Sequence, residues 1–118
     1  MMKQGFGRII TMSPPISPGM LKGKVAYSIS KMGMTFIAMG VAEEVAGHDI
    51  TANALWPATA VESFATKNFG MGSEDMWRKA SILADATLEI VKSNVTGQVI
   101  GQICKVFLGL KKRGGNRL

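Results

Sequence analysis

Tyr27 is the only tyrosine of the 118-residue sequence, and Lys31 follows it four positions later. In a helix, residues four apart lie on one face, so both side chains would project together. A free phenol is a poor base at neutral pH because its pKa is about 10, and a nearby ammonium stabilises the phenolate form. The same ammonium can donate to a ribose hydroxyl. The pair has the chemistry of a general acid and base, although its spacing alone also fits an accidental pair on a surface helix.

Ser13 is a second candidate for chemistry. It ends the short β-branched run from Gly7, which reads as a strand. The stretch SPPISPG (13–19) then contains three prolines and a glycine, so no regular element continues through it. A hydroxyl at a strand end can donate a hydrogen bond to a substrate oxygen.

The elements that must position these residues follow from periodicity and from the Pro and Gly breaks. Strands and helices alternate along the chain, in the order strand 7–13, helix 25–46, strand 50–56, short helix 63–68, helix 76–92 and a strand within 94–103. This alternation is typical of parallel βαβ units. The sequence therefore predicts an α/β fold with three parallel strands and two major helices.

Each major helix has an apolar side. In the second, this side consists of Ile82, Leu83, Ala86 and Ile90. In the first, we expect the sheet to be covered by a stripe of large residues, namely Val25, Ile29, Met32, Phe36 and Ile37. Small residues that allow close contact with another element are Gly33, Ala38, Gly40 and Ala42.

Composition restricts the class of protein. Apolar residues make up 47% and charged residues 19%, so the chain is neither disordered nor fibrous. Five of its 14 basic residues and no acid lie in 105–118, so the net charge of +6 is mostly a terminal tail. This distribution does not predict nucleic-acid binding, and no cluster predicts a metal site. The single Cys104 fits a reducing compartment, and the nearly uncharged run 32–42 is too short to span a membrane. We expect a soluble intracellular protein.

Taken in order, the strand-end Ser13, the Tyr27-x-x-x-Lys31 pair and NALWP (53–57) resemble the second half of a short-chain dehydrogenase/reductase. The SPP, AEE (42–44) and RKASILADA (78–86) segments are similar to the subgroup of hydroxysteroid dehydrogenase-like proteins. An order of several motifs is more specific than any one of them. The resemblance implies the C-terminal half of a doubly wound, Rossmann-like sheet.

The resemblance also assigns roles. Tyr27 would be the acid/base, Lys31 its electrostatic partner and ribose ligand, and Ser13 would orient the substrate carbonyl or hydroxyl. The cofactor would be NAD or NADP and the substrate a small alcohol or carbonyl compound. Pro57 would open the loop that holds the nicotinamide. The backbone of Val61 would meet its carboxamide, and Ser63 would lie near the phosphates.

Two departures shape the expected activity. Ala58 stands where the family has glycine, and the glycine-rich turn that binds pyrophosphate has no counterpart here. We expect residues 1–104 to form a partial, catalytic-half domain that is inactive alone, followed by the tail 105–118. The alternative is a non-catalytic, truncated relative that serves as an interaction module.

The resemblance also implies self-association and a compartment. The family commonly dimerises through the helix that corresponds to 25–46, so we expect a homo-oligomer through that helix. We expect a cytoplasmic location. The terminal tripeptide Asn116-Arg117-Leu118, similar to a peroxisomal signal, leaves a peroxisomal one open.

Overall fold

The computed structural model describes residues 1–14, 18–57, 59–70 and 73–101. Its strands and helices follow the predicted order: β1 (Gly7–Met12), α1 (Val25–Glu44), β2 (Ile50–Trp56), α2 (Phe64–Asn68), α3 (Ser81–Lys92) and β3 (Val99–Gly101). Short 3-10 turns lie at Met2–Gln4, Pro18–Met20 and Glu74–Met76. Cys104 and the basic tail lie outside the described residues, so the predictions about them stay predictions.

The three strands form one parallel sheet in the order β1-β2-β3. Gly7 pairs with Ile50 and Met12 with Leu55, so β2 runs beside β1 for the whole length of β1. Six of the seven residues of β2 are buried, which is typical of a parallel strand covered on both faces. The predicted α/β class with three parallel strands is confirmed. Within the described residues β1 pairs only with β2, so its other edge is open.

One face of the sheet is covered by α1, but not through the predicted stripe. The buried residues of α1 are Ser28, Thr35, Ala38 and Ala42. Ile29 is 68% exposed and Phe36 65% exposed, so the prediction that they cover the sheet is wrong. Strand side chains alternate between faces, and the face of β2 beneath α1 carries the fully buried Ala52 and Ala54. Small residues on both elements let the helix lie close, a contact that larger side chains would prevent.

The other face is covered by α3. The predicted side of this helix packs on the sheet in a cluster formed by Leu55, Ala86, Ile90 and Ile100, with Ile10, Ile82 and Leu83 against it. The helix begins at Ser81 instead of the predicted 76. Arg78 is extended there, with its N–H on the Ala60 oxygen and its own oxygen accepting from Glu62. This pairing fixes a backbone conformation that a helix cannot have.

Asn53, the first residue of the NALWP motif, is fully buried and holds the turn before β3. Its side-chain amide donates to the Val95 oxygen at 2.8 Å, and its Oδ1 accepts from the Gln98 N–H at 3.2 Å. The turn needs a left-handed residue, which Gly97 supplies with φ 69°. Asn53 therefore positions β3 beside β2 and has no free polar atom for chemistry.

Within the described ranges, α1 is the one helix long and apolar enough, by length and composition, to cross a membrane. The mean hydropathy of an 18-residue window is 1.3, and 22% of that window is buried. A core helix of a soluble protein passes the same test, and α1 packs on β1 and β2. The expectation of no membrane span stays a prediction.

Candidate active site

Tyr27 and Lys31 lie in the first half of α1, beside the carboxyl end of β1. The Lys31 ammonium nitrogen lies 5.8 Å from the centroid of the Tyr27 ring. Tyr27 is 46% exposed, so its side chain is open to a ligand, and Lys31 is half-buried. The helix thus places the two side chains together, as the four-residue spacing requires.

The Lys31 ammonium is held at the end of β1. Its Nζ donates to the main-chain oxygen of Met12 at 3.3 Å and lies 4.0 Å from the Met34 sulfur. An ammonium has three donors, whereas a thioether is a weak acceptor. The charge is therefore anchored by the backbone and keeps capacity to donate to a ligand oxygen.

Ser13 follows β1 directly, and the structure engages its hydroxyl inside the protein. The residue is 1% exposed. Its Oγ lies 2.8 Å from the Thr35 hydroxyl and accepts from the Trp56 indole N–H at 2.7 Å. A hydroxyl with two protein partners and almost no exposed surface is arranged to connect elements. Its predicted contact with a substrate stays a prediction that this burial disfavours.

Sequence reasoning missed Thr35 and described Trp56 incompletely. Thr35 comes one turn after Lys31, so the spacing that pairs Tyr27 with Lys31 also carries Thr35 along the same side of α1. On sequence grounds Trp56 fits core packing and the wall of a substrate pocket beside Pro57 equally well. The observed role is a hydrogen bond from β2 to Ser13.

The predicted cofactor residues after β2 lie on a separate segment. Pro57 immediately follows the strand, and the register of β1 with β2 brings it beside the chain that leaves β1. Val61 forms a bridge with Arg78 and its carbonyl accepts from the Thr66 hydroxyl at 3.0 Å. The bridge uses the N–H of Glu62, and within the described residues the Val61 N–H has no protein acceptor.

Ser63 caps α2 through a reciprocal pair with Thr66. The Ser63 Oγ accepts from the Thr66 N–H at 3.2 Å, and the Ser63 N–H donates to the Thr66 hydroxyl at 2.8 Å. This is a capping box, so the Ser63 hydroxyl has a local structural role. The structure thus brings Ser13, Tyr27 and Lys31 to one strand end, while Val61 and Ser63 lie on the segment between β2 and α3.

Known proteins are similar to this chain in sequence and in fold. Residues 1–73 match the sequence profile of a family described as short chain dehydrogenase. Proteins described as hydroxysteroid dehydrogenase-like protein 2 are similar to it: the mouse protein is 41% identical over 103 residues, 83% of this chain and 21% of its own length. The zebrafish (Danio rerio) protein is 40% identical over 106 residues, 85% of this chain and 25% of its own length.

A solved structure has the same fold. A short chain dehydrogenase from Mycobacterium thermoresistibile superposes with a TM-score of 0.70 and 36% identity, over 87% of this chain and 38% of that chain. The chain thus spans about a fifth to a quarter of the length of the curated relatives it matches.

Proposed function

Because the chain belongs to the short-chain dehydrogenase family, we propose that it carries the catalytic half of an oxidoreductase. The match over residues 1–73 confirms the resemblance drawn from Ser13, the Tyr27–Lys31 pair and NALWP. The proposed reaction is reversible hydride transfer between NAD or NADP and an alcohol/carbonyl pair. The observation that carries the proposal is the half-exposed Tyr27 phenol beside the Lys31 ammonium.

Tyr27 moves the proton in this proposal. In the reductive direction, its hydroxyl donates a proton to the carbonyl oxygen as the carbonyl carbon gains a hydride. In the oxidative direction, the phenolate accepts the hydroxyl proton of the alcohol. The nicotinamide, when bound, supplies or takes the hydride. Exposure of the phenol favours this role, because a substrate oxygen must come within hydrogen-bond distance of it.

Lys31 stabilises the phenolate by charge. Its backbone contact with Met12 keeps the ammonium in place while the Tyr27 proton leaves and returns. Its remaining donor capacity fits a ribose hydroxyl, so the same group would tie the acid/base to the cofactor.

The residues after β2 fit a nicotinamide cofactor to different degrees. The Val61 N–H, for which no described residue is an acceptor, suits a carboxamide oxygen, and Pro57 begins the loop at the strand end. Ser63 fits less well, since its hydroxyl accepts from the Thr66 N–H. Together with Lys31, Val61 and Pro57 are the residues that would hold the cofactor.

A second candidate function is association, and the exposed side of α1 favours it. Val25, Ile29, Phe36 and Met39 are exposed on this helix, and Gly40, next to Met39, faces open space. A contiguous apolar surface of this kind marks a contact. We propose that the chain forms a homo-oligomer through α1, whether or not it is catalytic.

The decisive experiment supplies the chain with the N-terminal part of its solved Mycobacterium relative, by co-expression or fusion, and measures NADH and NADPH binding and turnover. Titration by nicotinamide fluorescence reports binding, and absorbance with a panel of ketones and alcohols reports turnover. We expect binding and turnover by the assembly and none by the relative's part alone. An assembly that binds neither cofactor would contradict the proposed oxidoreductase function. It would favour the alternative, a non-catalytic interaction module.

A further inference from the structure

The end of β1 is joined to α1 by three hydrogen bonds, one at each of the consecutive residues Thr11, Met12 and Ser13. The bonds are Thr11 Oγ1 to the Met34 oxygen at 3.0 Å, Lys31 Nζ to the Met12 oxygen at 3.3 Å, and Ser13 Oγ with Thr35 Oγ1 at 2.8 Å. These bonds thus connect β1 and α1 around Lys31. The Thr35 contact lies one helical turn beyond Lys31.

Trp56 adds β2 to this connection. Its indole Nε1 donates to Ser13 Oγ at 2.7 Å and also lies 3.2 Å from Thr35 Oγ1. An indole N–H can only donate, so both hydroxyls act as its acceptors. Ser13 and Thr35 are 1% and 4% exposed, so water does not compete for these bonds. The Ser13–Thr35–Trp56 cluster links β1, α1 and β2 at one point.

The small side chains beneath α1 make the Ser13–Thr35–Trp56 cluster important for the position of the helix on the sheet. The helix meets the sheet through small side chains such as Ala38 and Ala42, above Ala52 and Ala54. Small residues allow close approach, but they lack the interdigitating ridges that fix the position of one element along another. Directional hydrogen bonds at Thr35 then decide where along the strand ends the helix sits.

We propose that Thr35 and Trp56 are positioning residues, acting through Ser13 to hold Lys31 and Tyr27 at the end of β1. The catalytic value of this positioning rests on the proposed function. The positioning itself does not, because the hydrogen bonds are present without a cofactor. It also gives the buried Ser13 hydroxyl a role in which it contacts no substrate.

Nuclear magnetic resonance of the full 118-residue chain tests the inference directly, because contacts between α1 side chains and the end of β1 report the position of the helix. The readout is the set of Overhauser cross-peaks between the Lys31 side chain and Met12, which report where α1 sits at the end of β1. We expect Thr35→Val to lose them and Thr35→Ser, which keeps the hydroxyl, to retain them. The matched control is Thr96→Val, which removes the 3.1 Å bond from the Ala52 N–H at the other side of β2.

The two possible results distinguish a positioning role of Thr35 from a purely structural one. Loss of the cross-peaks in Thr35→Val with retention in both Thr35→Ser and Thr96→Val supports positioning. Retention in Thr35→Val, with stability lowered as in Thr96→Val, would make Thr35 merely structural and overturn the proposal. The readout needs no cofactor, so it stands even if the chain proves inactive.

Two further measurements do not depend on these cross-peaks. The Trp56 indole N–H should exchange with solvent clearly more slowly than a free indole, and exchange at the free rate would overturn the proposal even if no variant folds. In addition, Ser13→Ala and Thr35→Val should be non-additive, because they break the same bond. Full additivity in the free energy of unfolding would mean that the two hydroxyls act independently.

Discussion

The Lys31 ammonium lies between two groups, the Tyr27 ring at 5.8 Å and the Met12 carbonyl oxygen at 3.3 Å. One contact makes it a partner of the phenol, and the other fixes it to the backbone at the end of β1. Charge at this point can stabilise phenolate only if it stays there. The proposed chemistry and its geometry therefore both depend on the Lys31 side chain.

The first prediction concerns Tyr27→Phe in the assembly with the relative's N-terminal part. This change removes the proton donor and should lower turnover by about 100-fold or more, the usual contribution of a general acid/base. Cofactor affinity should change little. Steady-state kinetics with a parallel NADPH titration checks both, and near-parental turnover would exclude Tyr27 as the acid/base.

The second prediction concerns Lys31→Met. Loss of the ammonium should lower turnover and also weaken cofactor binding, whereas Tyr27→Phe lowers turnover alone. The matched control is Lys24→Met, which removes an equal charge from the exposed residue just before α1. If both lysine variants lose the same activity, the effect is one of net charge, and the specific role of Lys31 is wrong.

The third prediction concerns the core beneath α3. Leu55 is fully buried in the cluster with Ala86, Ile90 and Ile100. Leu55→Ala should therefore lower the free energy of unfolding by about 2–5 kcal/mol. Leu88→Ala, on the exposed side of the same helix, should cost less than about 1 kcal/mol. Urea denaturation measures both, and equal losses would contradict the assigned core.

The fourth prediction concerns association through α1. Met39 is 44% exposed on the apolar side of that helix. A charge there should oppose burial, so Met39→Glu should shift the chain toward monomer in sedimentation across a concentration range. Leu88→Glu, on α3, is the control and should leave association unchanged. A wild-type chain that is monomeric at every concentration would refute this interface.

The sequence predicted those parts of the fold that depend on local pattern. The β-branched runs, the long proline-free helix and the apolar side of α3 specify three parallel strands between helices. The pairing of Tyr27 with Lys31 follows from helical geometry alone.

What the sequence did not predict depends on contacts between distant residues. The large apolar residues of α1 were expected on the sheet, because burial usually follows side-chain size. Here the small side chains of β2 favour close approach, and this selects the side of α1 that carries Thr35 and Ala38. The link from Trp56 to Ser13 spans 43 positions, which no periodicity reveals.

The outward placement of Ile29 and Phe36 has a calorimetric consequence. Removal of apolar surface from water lowers the heat capacity, and the drop occurs in whichever step buries that surface. Because folding leaves these side chains exposed, their share of this decrease would occur when α1 binds the proposed partner. The folding of a lone chain should therefore show a small heat-capacity change for its length, and complex formation a large one.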